Sequence, residues 1–142
     1  LSYHLIMNEK KIVLVVDDFE DVRRLVMHYL RDAGFEIREA QDSFAALRSL
    51  EVNGAVDLIL SDFQMPEMDG ISLFHAVRNV GHLMPFVLMS GNLQLTEQRT
   101  VEIGITDFIA KPFTGDELNE CLLRALRTFN HTPDEASPKL ER

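Results

Sequence analysis

Three times this chain runs through apolar residues and stops abruptly at a polar one. Lys11-Ile12-Val13-Leu14-Val15-Val16 ends at Asp17-Asp18, Leu58-Ile59-Leu60 ends at Ser61-Asp62, and Pro85-Phe86-Val87-Leu88-Met89 ends at Ser90. A β-strand without polar alternation has no face to give to water, so each run needs cover on both sides, as inside a parallel sheet. A proline opens the third run, where a missing N–H is tolerated. Two weaker strands complete the set. Phe35 to Ala40 alternates apolar and charged residues like a half-exposed edge strand, and Thr106-Asp107-Phe108-Ile109-Ala110 leads into Lys111-Pro112.

The segments between these strands carry helical spacing. Val22, Leu25, Val26, Tyr29, Leu30 and Ala33 precede the stop at Gly34. Ala45, Ala46, Leu47 and Leu50 start near Asp42 or Ser43 and close near Gly54, and Ile71, Leu73, Phe74 and Val77 run from Asp69-Gly70 to Gly81. Thr114-x-x-Glu117 has capping-box spacing, ahead of Leu118, Cys121, Leu122, Ala125, Leu126 and Phe129. Segment 93–103 is the weakest helix, because its apolar residues form no broad face; a marginal, exposed or mobile helix is expected there. Five strands alternating with five helices imply right-handed crossovers and an α/β fold, a three-layer doubly wound (βα)5 sandwich around a parallel five-stranded sheet. Alternation leaves the strand order open, with 2-1-3-4-5 the commoner choice for five strands.

With 142 residues the chain suits one domain with its own core. The working domain is read as 10–129, after an extension at 1–9 in which Met7 is a candidate natural start, and before a polar, proline-containing tail or linker start at 130–142. A formal charge of −9 argues against a nucleic-acid surface. Cys121, the single cysteine, cannot form an internal disulfide. No apolar run approaches the roughly twenty residues of a membrane span. The cytoplasm is the expected compartment.

Function is read from the strand ends. In a parallel sheet the C-terminal ends of all strands share one edge, where ligands bind. That edge gathers Asp17 and Asp18 from the first strand, Asp62 from the third, Ser90 from the fourth and Lys111 from the fifth. Three converging carboxylates repel one another, and burial pushes at least one pKa upward. A hard divalent cation, Mg²⁺ with Mn²⁺ as a substitute, removes the conflict, with Asp18 and Asp62 binding directly and Asp17 through water. Lys111 and Ser90 are placed to donate to phosphoryl oxygens. A carboxylate attacking phosphorus gives a hydrolysable acyl phosphate, so Asp62 is the candidate phosphoryl acceptor. The plainer alternatives are helix capping by Asp17, Asp42, Asp69 and Asp116, a turn role for Ser90, and simple core packing for Phe108.

These residues, in this order, resemble the receiver domain of two-component response regulators over about Lys11 to Phe129. The resemblance rests on Val15-Val16-Asp17-Asp18, Leu60-Ser61-Asp62-Phe63-Gln64-Met65-Pro66-Glu67-Met68-Asp69-Gly70, Met89-Ser90-Gly91 and Phe108-Ile109-Ala110-Lys111-Pro112-Phe113. It implies a flavodoxin-like, chemotaxis-regulator-like fold in strand order 2-1-3-4-5, and Mg²⁺-dependent transfer to Asp62 from a sensor histidine kinase or a His-containing phosphotransfer protein. It gives the Gln64 backbone carbonyl to the metal, raises a cis bond at Lys111-Pro112, and makes Ser90 and Phe108 a switch. That switch acts on the face of the fourth helix, fifth strand and fifth helix, which meets a downstream output domain or protein and is also a candidate homodimer surface. Gln64 and Asn92 stand where side chains can influence an attacking water. The competing reading is a Mg²⁺-dependent, phosphatase-like enzyme on a similar fold. No connection is long enough to supply its lid, and Gln64 stands where its second acid would be.

Overall fold

The computed structural model describes residues 10–91, 100 and 102–140, with side chains up to 129. Five strands, β1 (Ile12–Val16), β2 (Glu36–Ala40), β3 (Leu58–Asp62), β4 (Phe86–Ser90) and β5 (Asp107–Ala110), form one parallel sheet in the order β2-β1-β3-β4-β5. Four helices are described: α1 (Glu20–Asp32), α2 (Ser43–Asn53), α3 (Gly70–Asn79) and α4 (Gly115–Leu140). The last corresponds to the fifth helix expected from sequence, and it continues through part of the segment whose composition suggested a tail. The expected helix at 93–103 lies mostly outside the described residues; Thr100, Glu102 and Ile103 are helical.

The period of two within each apolar strand sorts its side chains onto two cores. Val13, Val15, Leu58, Leu60, Val87 and Met89 pack with Val26 and Leu30 of α1 and Leu118 and Leu122 of α4. Leu14, Val16, Ile59, Phe86 and Leu88 pack on the other face with Ala46 and Leu50 of α2 and Leu73, Phe74 and Val77 of α3. Every residue of β3 and β4 is buried, whereas β2 keeps exposed charges, as expected of an interior pair and an edge.

Helix starts are where the competing readings of the acids separate. Asp42 caps α2, accepting from Ala45 N at 2.8 Å, and Asp69 caps α3, accepting from Ser72 N at 2.8 Å. Asp17 caps no helix: the cap position of α1 is Phe19, which offers no side-chain acceptor. The cap role expected of Asp116 is also corrected, because Thr114 and Glu117 exchange the two capping hydrogen bonds at 3.1 and 2.8 Å and leave Asp116 within the first turn. Asp42→Ala should therefore cost about 1 kcal/mol, read as a lower denaturation midpoint with an unchanged denaturant slope. An unchanged midpoint would remove Asp42 as the anchor of α2.

Candidate functional site

Strand register builds the site. Val16 stands opposite Ser61, so the next residues on each chain, Asp17 and Asp62, emerge side by side at the sheet edge. Asp62 lies beside Met89 and Ser90 beside Ala110, which places Lys111 one step beyond the hydroxyl. The Lys111 N–H donates to the Ser90 carbonyl at 2.9 Å, and Phe63 N donates to the Met89 carbonyl at 2.8 Å. The acid, hydroxyl and lysine are thus held by backbone ladders, although 49 residues separate Asp62 from Lys111.

One oxygen each from Asp17, Asp18 and Asp62 lies within 4.8 Å of the others. Ligand oxygens at ~2.1 Å from an octahedral ion stand at most ~4.2 Å apart, so a set of this spread suits a small hard cation with one acid acting through water. Lys111 Nζ stands 2.9 Å from Asp62 Oδ1 and 3.6 Å from Asp17 Oδ2. The second distance is an ion pair but too long for a hydrogen bond, and Asp17 Oδ2 is the buried side-chain oxygen without a hydrogen-bond partner among the described residues. The other oxygen, Oδ1, accepts from Phe19 N at 2.9 Å.

Burial raises the pKa of both Asp17 and Asp62. For Asp17 the Phe19 N–H opposes the shift and the charge of Asp62 adds to it; for Asp62 the Lys111 hydrogen bond opposes it and the charge of Asp18 adds to it. One lysine therefore does not settle a site holding three acids, two of them buried. The donor set, all carboxylate oxygen with an unsatisfied buried atom, fits Mg²⁺.

The remaining expected residues fall around this centre. Gln64 is exposed in the loop between β3 and α3, and Ser90 is 3% exposed at the end of β4. Phe108 is half-buried on β5, packed against the α2–α3 core, and borders a surface cavity of about 410 Å³ that reaches Pro112, Glu120 and Arg124. The Lys111-Pro112 bond is cis. Asn92 lies outside the described residues.

Two residues to which the sequence reading gave no part in holding the acids position them. Arg23 donates to the Asp17 carbonyl at 2.7 Å and pairs with Glu39 at 2.8 Å, fixing the acidic turn against β2. Gly70 opens α3 directly beneath the Asp62 carbonyl, with its N–H donating to the Phe63 carbonyl at 2.8 Å. A side chain there would overlap the Asp62 carbonyl oxygen and stand 2.6 Å from Leu88 Cδ2. Arg23 follows Asp17 by six residues and Gly70 opens a helix; nothing in either spacing announces the contact.

Residues 13–123 match the family model described as the response regulator receiver domain. The chain is 35% identical over 121 residues to the chemotaxis protein CheY-3 of Vibrio cholerae, covering 82% of this chain and 92% of that protein. It is 38% identical over 116 residues to the sensor histidine kinase RcsC of Salmonella typhi, covering 81% of this chain but only 12% of that much longer relative. Among solved structures, Vibrio cholerae CheY4 superposes with a TM-score of 0.75 at 31% identity, covering 82% of this chain and 99% of that one. NtrX of Brucella abortus superposes with a TM-score of 0.80 at 32% identity, covering 90% of this chain and 29% of that one.

Proposed function

We propose, from the premise that this chain belongs to the response regulator receiver domain family, that Asp62 is a reversible phosphoryl acceptor within a two-component phosphorelay. The observation that carries this reading is the convergence of Asp17, Asp18 and Asp62 within 4.8 Å, with the Lys111 ammonium 2.9 Å from Asp62. An Asp62 oxygen attacks the phosphorus of a phosphohistidine on a sensor kinase or phosphotransfer protein; the P–O bond forms as the P–N bond breaks, and the donor imidazole takes up a proton. Water later attacks the same phosphorus, returning the carboxylate and inorganic phosphate.

Asp18 and Asp62 would hold Mg²⁺ or Mn²⁺ directly, Asp17 through water, and Gln64 through its backbone carbonyl; the ion supplies charge neutralisation for the acids and the incoming phosphoryl group. Lys111 loses a carboxylate partner when Asp62 becomes an acyl phosphate and turns to a phosphoryl oxygen. Ser90 approaches from the neighbouring strand, and Phe108 moves inward into the space it leaves. This shifts the face built on β5, α4 and the segment before β5 toward a conformation with different partner affinity. That face would meet an output domain or protein, and a homodimer through it belongs to the same reading. The unit that does this is 10–129, with 1–9 an extension and 130–142 a tail or linker start.

On this reading the chain is no separate-substrate enzyme; it assists only its own phosphorylation and dephosphorylation. No helix among the described residues is long and apolar enough to cross a membrane, and the cytoplasm is the proposed compartment.

Incubation with acetyl phosphate and Mg²⁺, followed by intact mass measurement, tests the proposal. The expected result is one labile phosphoryl adduct, lost with chelator and lost completely in Asp62→Asn. An adduct that persists in Asp62→Asn, or its absence from the parent protein, sinks the acceptor assignment. Multiple turnovers on a general phosphatase substrate would favour the enzyme instead.

A further inference from the structure

The signalling chemistry leaves one side of the molecule unused. Between α2 and α3 lies a groove of about 480 Å³, floored by Leu47, Leu50 and Ala76 and flanked by Phe44 and Val80. Phe44 is 52% exposed, Val80 65%, and Val52 and Leu83 at the adjoining helix ends are 70% and 75% exposed. Large side chains left in water singly are ordinary, but two flanking one apolar groove, with two more exposed just beyond it, mark an interaction surface.

Charge selects the occupant. The chain carries −9 overall, so two copies repel one another through most orientations. The α2 and α3 helices are the exception: together they hold one acid, Glu51, and two arginines, Arg48 and Arg78. Arg78 is folded back, donating to the carbonyls of His82 and Met84 at 3.1 and 2.7 Å. Arg48 and Glu51 both line the groove and have no ion-pair or hydrogen-bond partner among the described residues. They sit one turn apart on one helix, Arg48 toward the N-terminus. An antiparallel crossing of α2 on a second α2 puts each Arg48 opposite the partner's Glu51, and a two-fold axis makes the pair twice. In that register Leu47 faces the partner's Val52.

We propose that the α2–α3 face is a homodimer interface, isologous about a two-fold axis, with Phe44 and Val80 as flanking apolar contacts and Arg48–Glu51 pairs setting its register. It lies across the sheet from α1 and α4. It does not depend on the phosphoacceptor reading.

Sedimentation of the full chain over a range of concentrations tests it. Expected of the unphosphorylated chain, in which the switching face has not been shifted, is a concentration-dependent dimer, abolished in Val80→Glu and weakened at least about tenfold in Arg48→Glu and in Glu51→Arg. Each single variant brings like charges together with its own copy, whereas an equimolar mixture of Arg48→Glu with Glu51→Arg restores both pairs, so the mixture should dimerise where neither does alone. All three positions line the rim and the variants should keep parental melting, which the same samples report. A chain monomeric throughout, a dimer indifferent to Val80→Glu and Arg48→Glu, or folded variants that stay monomeric when mixed, overturns the interface.

Discussion

Asp17→Asn should make the cation-free protein more stable at neutral pH while weakening its response to divalent cations. Asp17 has a side chain only 1% exposed, with one oxygen held by Phe19 N and the other lacking any hydrogen bond. Leaving a buried polar atom unsatisfied costs on the order of 1–3 kcal/mol. Asparagine keeps the acceptor for Phe19 N, loses the charge, and can turn its amide toward the carboxylates of Asp18 and Asp62. A rise in melting temperature of about 3–8 °C in chelator is expected.

The sign with pH follows from the direction of the shifts. The folded-state pKa values of Asp17 and Asp62 lie above the unfolded value of 3.8. Between the two values the folded protein binds more protons than the unfolded chain, so these two groups lower stability as pH rises through that window, and the deficit persists at neutral pH. In chelator the gap between Asp17→Asn and the parent should therefore open as pH rises from below 3.8 toward neutrality. In Mg²⁺ or Mn²⁺ the parent should recover, since a ligand bound only by the folded state stabilises it, while Asp17→Asn recovers far less. Melting curves at several pH values, with chelator and with excess Mg²⁺, read both effects. A variant less stable than the parent in chelator, or equally responsive to Mg²⁺, would show that the acids are satisfied without an ion.

How far the sequence foretold this site depends on what each residue's position has to encode. Asp17, Asp18, Asp62, Ser90 and Lys111 were legible because each ends an apolar run, and a parallel sheet carries all strand ends to one edge whatever the distance in sequence. The two-sided burial of β3 and β4 was legible for the same reason, since neither alternates. The roles of the capping acids were less so. Asp42 and Asp116 both precede apolar spacing by a similar interval; the capping-box spacing of Thr114 and Glu117, visible in the sequence and formed in the structure, decides that Asp116 caps nothing. The positioning roles of Arg23 and Gly70 were not legible. A salt-bridged arginine on a helix and a glycine at a helix start look ordinary until the third dimension shows what they touch. The direction of Arg48 and Glu51 is of the same kind: a sequence shows two charges, and only the groove shows that they lack partners.

Gly70 carries the last expected result. Gly70→Ala should destabilise by about 3 kcal/mol or more, the upper range for forcing extra volume into a packed site. The reason is space and not backbone freedom, because Gly70 is absent from the positive-φ glycines. An added Cβ would overlap the Asp62 carbonyl oxygen, stand 2.6 Å from Leu88 Cδ2 and 3.2 Å from Phe63 Cα. Two of these three neighbours are backbone, which cannot swing away as a side chain would. Relief therefore requires α3 to move off the sheet or the end of β3 to shift, and Asp62 shifts with it. Two other glycines calibrate the result. At Gly115 the nearest atom is the Tyr29 ring at 2.9 Å, a side chain able to yield, so Gly115→Ala should cost less; Gly91 has nothing within 4 Å, so Gly91→Ala should meet no clash. Denaturant midpoints of the three variants should fall in that order, with Gly70→Ala lowest. Under conditions where it remains folded, Gly70→Ala should also bind Mg²⁺ more weakly, since displacement of the carbonyl carries the Asp62 carboxylate away from Asp17 and Lys111. If Gly70→Ala matched Gly91→Ala in stability, α3 would have slack against β3, and the placement of Asp62 would have to be set by the β-ladder alone.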